Sequence, residues 1–408
     1  MNKCKLGDIA QLKTGPFETQ LKASEYSLVG TPIINVKNIG YGNLILNNLD
    51  YVPESVCQRL SEHLIHEGDI VFGRKGSVDR HCLIKKQHDG WMQGSDCIRV
   101  RLHDGINPQY ISYYLMLNQV KKQINDSAVG STMASLNTDI LKSVTILLPD
   151  LTIQNKIANI LGTLDKKISI NQLIIDKLKA SSKSIYDFWF TQFDFPDENG
   201  KPYKSSGGKM VWDQELKTNI PDGWNTMALS QRFAFERGIE VGADNYSNTQ
   251  YNGYVPFYRV SDLNSDCTNY TNEELLCGKI LSPLDICVSF DGTVGKLDFG
   301  LSGGYSTGIR KIYDLENELN NAVIFSIFNS DYIQLIIKKY ATGSNILHAS
   351  ASIENLYIAY NKFIYNKFQN IITPMFNKML KVKNENKELL SLRNWLLPML
   401  MNGQITIE

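Results

Sequence analysis

Long runs of helically spaced apolar residues occur in two places along the chain. In residues 152–190 they are Ile153, Ile157, Ile160, Leu164, Ile168, Ile175, Leu178, Ile185 and Trp189. The steps are mostly three or four, or sums of them, which predicts a coiled-coil seam on one long helix. At about 1.5 Å per residue that helix would span roughly 55–60 Å. A counterpart over 362–401 carries Met375, Met379, Val382, Leu389, Leu396 and Leu400. Asn171 falls on the first seam and Asn386 on the second, and a buried Asn fixes register at some cost in stability. The expected pairing seam is therefore Ile157, Ile160, Leu164 and Asn171 against Met375, Met379, Val382 and Asn386. Two independent amphipathic helices with exposed Asn are the competing reading.

The rest of the chain alternates on a shorter period. β-branched and aromatic runs bounded by Gly, Asn and Pro predict a mixed sheet, followed by one amphipathic helix (around 108–125 and again 317–339), a Gly-Ser turn and a last strand such as "VTILLP". This layout occurs twice. "GDIVFGRKGSVDR" (Gly68 to Arg80) matches "LDICVSFDGTVGK" (Leu284 to Lys296), with Asp69 on Asp285, Gly76 on Gly292 and Val78 on Val294. "TPIINVKNI" resembles "VPFYRVSDL", and "AVGSTMASLNTDILKSVTILLP" resembles "YATGSNILHASASIENLYIAYN", in the same order. The chain is thus a tandem duplication of a domain-sized unit, not a short-period solenoid. Between the copies, residues 195–224 are rich in Pro, Gly, Ser and Asp and predict a linker or extended surface segment.

Composition changes this picture only a little. With 408 residues and 43% hydrophobic content the chain suits two or three soluble domains. No apolar run approaches 18 residues, so no membrane span is expected. The start "MNKCKLGDIAQLKTG" has no apolar signal core. The seven cysteines contain no C-x-x-C pair, fit neither a zinc site nor a disulfide framework, and are read as free thiols in a reducing cytoplasm. Net charge is zero. Residues 191–360 hold 13 basic against 21 acidic side chains. Charge alone therefore opposes nucleic-acid binding in the second copy.

Catalytic patterns fail on context. "NPQY" (Asn107 to Tyr110) is one letter from the N-P-P-[YF] loop that grips a flipped adenine. No glycine-rich cofactor loop follows a strand, and Asn107-Pro108 reads better as a helix cap. Pro149-Asp150 with Asp165 and Lys167, and Pro196-Asp197 with Glu215 and Lys217, fit a loose nuclease pattern, but Asp165 and Lys167 sit on the expected coiled coil. The six His show no ligand spacing, and Ser95, Ser131 and Ser344 have no nucleophile elbow. No catalytic residue, metal site or cofactor is expected.

Taken together, "GDIVFGRKGSV" and "LDICVSFDGTV", the turn feeding "VTILLP", the helix from "LTIQNKIANIL" and the linker "FDFPDENGKPYKSSGGKMVWDQELKTNIPDGW" resemble the DNA-specificity (S) subunits of type I restriction-modification systems. The resemblance implies an α+β (mixed α/β) fold with two tandem target-recognition domains, each followed by a long helix, the helices pairing as an antiparallel coiled coil. The expected boundaries are 1–150 and 223–360 for the domains, 151–190 and 361–408 for the helices, and 191–222 for the linker. It further implies a non-catalytic, cytoplasmic subunit that reads a bipartite, asymmetric site in double-stranded DNA. Adenine-methyltransferase (M) subunits would dock on the helices, and a restriction (R) motor-nuclease subunit would join. A silent or alternative S subunit, or a coiled-coil scaffold without DNA recognition, remains the alternative.

Candidate DNA contacts follow from the turns. Arg74, Lys75 and Ser77, with Arg80, offer cations and backbone donors for phosphates or guanine edges. At matching places the second copy has Asp291, Thr293 and Lys296, with Asp291 able to accept from cytosine. Lys37, Asn38 and Arg259 follow matching strands. The Gly-Ser turns add Ser131 and Thr132, and Ser344 and Asn345. For Arg99, Arg101, Arg310 and Lys311 a structural ion pair and a phosphate contact are equally open.

Overall fold

The structure is a computed structural model that describes residues 2–17, 19–129, 134–344 and 346–405. It divides into two compact units, one drawn from residues 1–168 and 389–408, the other from 169–388. The candidate Ser131, Thr132 and Asn345 lie outside the described residues.

In unit 1 a five-stranded sheet runs in the order Ala10–Thr14, Cys97–Leu102, Ile70–Gly73, His81–Leu83, Tyr41–Gly42. A three-stranded sheet has Thr31–Ile34 between Asp50–Val52 and, in parallel, Met92–Gln93. Asn2–Lys5 pairs antiparallel with Thr145–Leu148, tying the start of the unit to its end. Unit 2 repeats this plan. Its first sheet runs Phe233–Arg237, Ile309–Asp314, Ile286–Ser289, Leu297–Asp298. Its second centres on Tyr254–Tyr258, again parallel to a short strand, Gly303–Tyr305. Asn225–Ala228 closes on Tyr357–Tyr360. The quoted repeat is the fully buried central strand of each first sheet, Ile70–Gly73 and Ile286–Ser289. Continuous apolar runs are what a strand covered on both faces requires.

The repeated aspartate has a structural task. Asp69 accepts from the backbone N–H of His66 at 2.8 Å, and Asp285 from that of Ser282 at 2.7 Å, each three residues upstream. Each also pairs with a cation, Asp69 with Arg101 at 2.7 Å and Asp285 with Lys311 at 3.0 Å. Arg99 is buried and donates to the carbonyls of Glu62 and Leu64. Arg310 is also buried and donates to Thr307 and to the Ser350 hydroxyl. All four strand cations are thereby engaged within the fold.

Where one helix was expected after the sheets, each unit has two. Pro108–Leu115 and Asn118–Ser127 are separated by Leu117, and Asn321–Asn329 and Asp331–Lys339 by Ser330, both residues in extended backbone. The first helix of each pair is buried nearly all round, whereas the second buries one face only, Val120 and Ile124, or Ile333 and Ile337. A straight continuation would not return that narrow face to the core. Asn107 caps its helix, its side chain accepting from Tyr110 N–H at 3.0 Å, which accounts for the "NPQY" motif.

The long helices are Leu151–Tyr186 and Lys362–Met401. Within unit 1, Ile157, Ala158 and Leu161 share a core cluster with Leu397, Leu400 and Met401, and Arg393 reaches Asp165 at 3.0 Å. Within unit 2, Asn171 Nδ2 donates to Asn386 Oδ1 at 2.9 Å and to Glu385 at 2.9 Å. Farther along, Tyr186 packs on Phe368. Partner numbers fall as residue numbers rise, so the segments run antiparallel. Met379 and Val382 are buried, while Ile160, Leu164 and Met375 are only partly so. At Met375 the expected seam is one residue off, because Phe376 takes the buried place in the run Phe368, Ile372, Phe376, Met379. Ile153, 37% exposed, lies off the seam.

The expected linker is also more ordered than its composition implies. Met210–Asp213 and Thr218–Pro221 form a hairpin, and Phe193, Phe195 and Trp224 join the main core of unit 2. The Pro and Gly residues shape turns around buried aromatics that composition alone hides.

Candidate nucleic-acid interface

The glycine turn and the Gly-Ser loop, distant in sequence, are clasped together in both units. In unit 1, Gly76 N–H donates to Ala134 C=O at 3.0 Å and Leu136 N–H to Arg74 C=O at 2.8 Å. The loop closes on itself through Val129 and Ser135, which exchange backbone bonds of 3.1 and 2.8 Å. In unit 2, Gly292 N–H donates to Leu347 C=O at 2.8 Å, Ala349 N–H to Phe290 C=O at 2.7 Å, and Thr342 exchanges bonds with His348. Gly76 and Gly292 have φ of +78° and +70°, the left-handed region open to glycine without a Cβ penalty. The third candidate segment lies alongside. A Cβ on Gly73 would meet Val36, and one on Gly308 would meet both Val260 and Asp291. The short turns Val36–Asn38 and Val260–Asp262 therefore border the clasp.

The same frame carries different side chains. In unit 1, Arg74 is half-buried and, among the described residues, has no ion-pair partner. Lys75 is exposed and pairs with Asp96 at 3.0 Å, and Ser77 is exposed. Lys37 pairs with Asp50 at 2.8 Å, and that bond holds the Asp50 carboxyl below its ordinary range against the opposing effect of burial. Arg80 lies over the ring of Tyr41, 5.4 Å from its centroid. Asn38 leaves the candidate set. It is fully buried, accepts from Asn35 N–H, and donates to the carbonyls of Ile45 and Asn47, so nothing is left for a ligand.

In unit 2, Asp291 accepts a 2.7 Å contact from the ring of exposed His348 across the clasp. Thr293 and Ser344 are exposed. Lys296 turns inward, its ammonium 3.3 Å from the Val260 carbonyl and 3.5 Å from that of Leu263, which makes it a brace for the neighbouring turn. Arg259 lies 3.7 Å from Asp262 and 5.9 Å from the centroid of Tyr246. Sequence reasoning missed Asp50, Asp96, Tyr41 and His348. Each lies in another segment from the residue it meets, and only the fold joins them.

Among the described residues no cluster of His, Cys, Asp or Glu could hold a metal, and no helix is long and apolar enough to cross a membrane. All seven cysteines are free. The fold and its clasped turns define a two-unit protein that offers two similarly framed but differently lined loop faces.

Comparison with known proteins finds similarity to one kind of protein. Residues 1–180 match the type I restriction modification DNA specificity domain. The MjaIX specificity subunit of Methanocaldococcus jannaschii is 24% identical over 75% of this chain and 71% of its own length. The HindI specificity subunit of Haemophilus influenzae is 23% identical over 91% of this chain and 94% of its own. The crystal structure of a type I S subunit from M. genitalium shares the fold, with a TM-score of 0.53 at 15% identity over 98% of this chain and 95% of that one. Residues 1–180 are thus similar to the type I restriction modification DNA specificity domain, and over most of its length the chain is similar to type I specificity subunits.

Proposed function

We propose that this chain is the DNA-reading subunit of a type I restriction-modification complex. Two target-recognition domains, residues 1–150 and 223–360, each read one half of a bipartite, asymmetric duplex site. The paired long helices act as the spacer between half-sites and as the dock for adenine-methyltransferase subunits. A motor-nuclease subunit joins for restriction, and the chemistry belongs to these cytoplasmic partners.

The observation that carries this reading is the duplicated clasp with altered lining. A frame kept in both units, with Arg74 and Lys75 exchanged for Phe290 and Asp291, suits two readers of different sequences. Arg74 and Arg80, which have no ion-pair partner among the described residues, favour phosphates and guanine edges in one half-site, with Lys37 and Lys75 already paired to Asp50 and Asp96. Asp291, bonded to His348, with Thr293 and Ser344 nearby, favours amino donors such as that of cytosine in the other.

The test is genome-wide mapping of methyladenine in cells that carry the partner methyltransferase, with and without this gene. Loss of one asymmetric bipartite motif on deletion is expected. An unchanged methylation pattern would overturn the reading.

A further inference from the structure

Unit 1 carries a cationic cluster at positions that its sister unit fills with other residues. Lys121 Nζ sits 4.3 Å and Arg80 Cζ 5.4 Å from the centroid of the same Tyr41 ring. The two cationic centres are therefore within about 10 Å of each other. Each comes from a segment of the candidate face. Tyr41 follows the Val36–Asn38 turn, Arg80 ends the glycine turn, and Lys121 lies on the helix Asn118–Ser127 that feeds the Gly-Ser loop. Among the described residues neither cation has a carboxylate within ion-pair distance, and Arg80 Nε is buried without a hydrogen-bond partner. Asp79 is the acid that acts on Lys121 from farther away, while Arg393 adds to the positive field. Burial lowers the pKa of Lys121, as expected for an ammonium short of anionic partners.

Unit 2 supplies the comparison. The matching strands and helices place Ser265 where Tyr41 stands, Gly295 where Asp79 stands, and Gln334 where Lys121 stands. Lys296, matching Arg80, is spent on the carbonyls of Val260 and Leu263. Unit 2 does flank one ring, Phe299, with Lys179 and Lys383, but there Lys383 is paired with Asp298, whereas the two cations on Tyr41 have no such acid among the described residues.

We propose that Arg80, Lys121 and Tyr41 form a binding site for a backbone phosphate of duplex DNA, and that unit 1 supplies through it electrostatic affinity that acidic unit 2 lacks. The inference rests on the DNA-reading function above. Two cations held near one ring present a focused positive charge, and the ring presents its face to them while leaving their outer N–H groups for an anion. A phosphate contact positions the duplex without reading its sequence.

The test uses the full chain assembled with its methyltransferase subunits. Equilibrium binding is measured over a salt series on a duplex carrying the methylated motif and on an unrelated duplex. The variant Tyr41→Ser with Lys121→Gln takes the residues of unit 2 at the same places. It should bind both duplexes more weakly, and the slope of log affinity against log salt should shrink by about 0.9 for the lost cation. Lys121→Arg should keep the wild-type slope. An unchanged slope and affinity in the double variant would overturn the proposal. So would a loss confined to one half-site sequence, which would mark a base contact instead. If the wild-type complex shows no preference for the motif, the DNA-reading function itself fails, an outcome distinct from any result on the variants.

Discussion

Acid should loosen unit 1 through one imidazole. His81 is fully buried in the central sheet, with Nε2 3.0 Å from both the carbonyl and the hydroxyl oxygen of Ser112. Its Nδ1 has no partner among the described residues. Desolvation pulls the pKa from 6.5 down to about 4, against the smaller opposing effect of the Ser112 bond. In the unfolded chain the ring takes up its proton near pH 6.5, so between these values the unfolded state binds more protons. Stability is complete above about pH 6.5 and is lost as pH falls toward 4. Each pH unit in that window is worth about 1.4 kcal/mol, giving about 2 kcal/mol by pH 5 and about 3 kcal/mol in full. The loss at pH 5 corresponds to an opening constant about 30-fold larger. Unit 2 places Leu297 and Phe325 where His81 and Ser112 stand. Hydrogen–deuterium exchange of Ile70–Gly73, corrected for intrinsic pH dependence, measures the effect at pH 7 and pH 5. Ile286–Ser289 of unit 2 serves as the control. Burial also lowers the pKa of His63 and His88, which act in the same sense, so the decisive quantity is the difference between wild type and His81→Leu. The variant should be less stable at pH 7, because the Ser112 oxygens lose a donor at a cost of about 1–3 kcal/mol. Its stability should nevertheless depend much less on pH. Equal pH dependence in the two proteins would refute the reasoning.

Three further outcomes are expected. In a double-mutant cycle on Asn171 and Asn386, urea denaturation should show a coupling of roughly 0.5–3 kcal/mol, with Asn171→Leu alone costing more than its share of the double variant; additive effects would mean the bond is idle. Arg74→Ala with Lys75→Ala should weaken methylation at targets read by unit 1, with most of the effect from Arg74 because Lys75 already has Asp96; undiminished methylation would move the contact elsewhere. Inserting one heptad into both long helices adds about 10.5 Å to each, or about three base pairs at 3.4 Å. Methyladenine mapping should then show both half-sites kept and the spacer lengthened, and an unchanged spacer would defeat the helices' role as spacer.

Legibility in the sequence follows the range of the interaction. The long helices were readable because seam residues such as Ile157, Met379 and Val382 recur locally, and the duplication because buried strands such as Ile70–Gly73 and Ile286–Ser289 admit few residue types. Where one turn of helix offers two apolar residues, the pattern cannot choose, and it points to Met375 at the place that Phe376 fills. The break at Leu117 was hidden because it has no Gly or Pro; only the mismatch between a helix buried all round and one buried on a single stripe demands it. The loop face was harder still. Cations and turns announce themselves, but whether a cation is available depends on acids and carbonyls far along the chain. Lys37 is met by Asp50, Arg101 by Asp69 across 32 residues, and Lys296 by carbonyls more than 30 residues upstream. A list of basic residues therefore overcounts the interface, and the cations that matter are those the fold leaves without an acid. By that criterion Arg74, Arg80 and Lys121 stand out in unit 1. In unit 2, Arg232, Lys279 and Lys311 sit on carboxylates, while exposed Arg237 is held by the Thr307 carbonyl and has no ion-pair partner among the described residues.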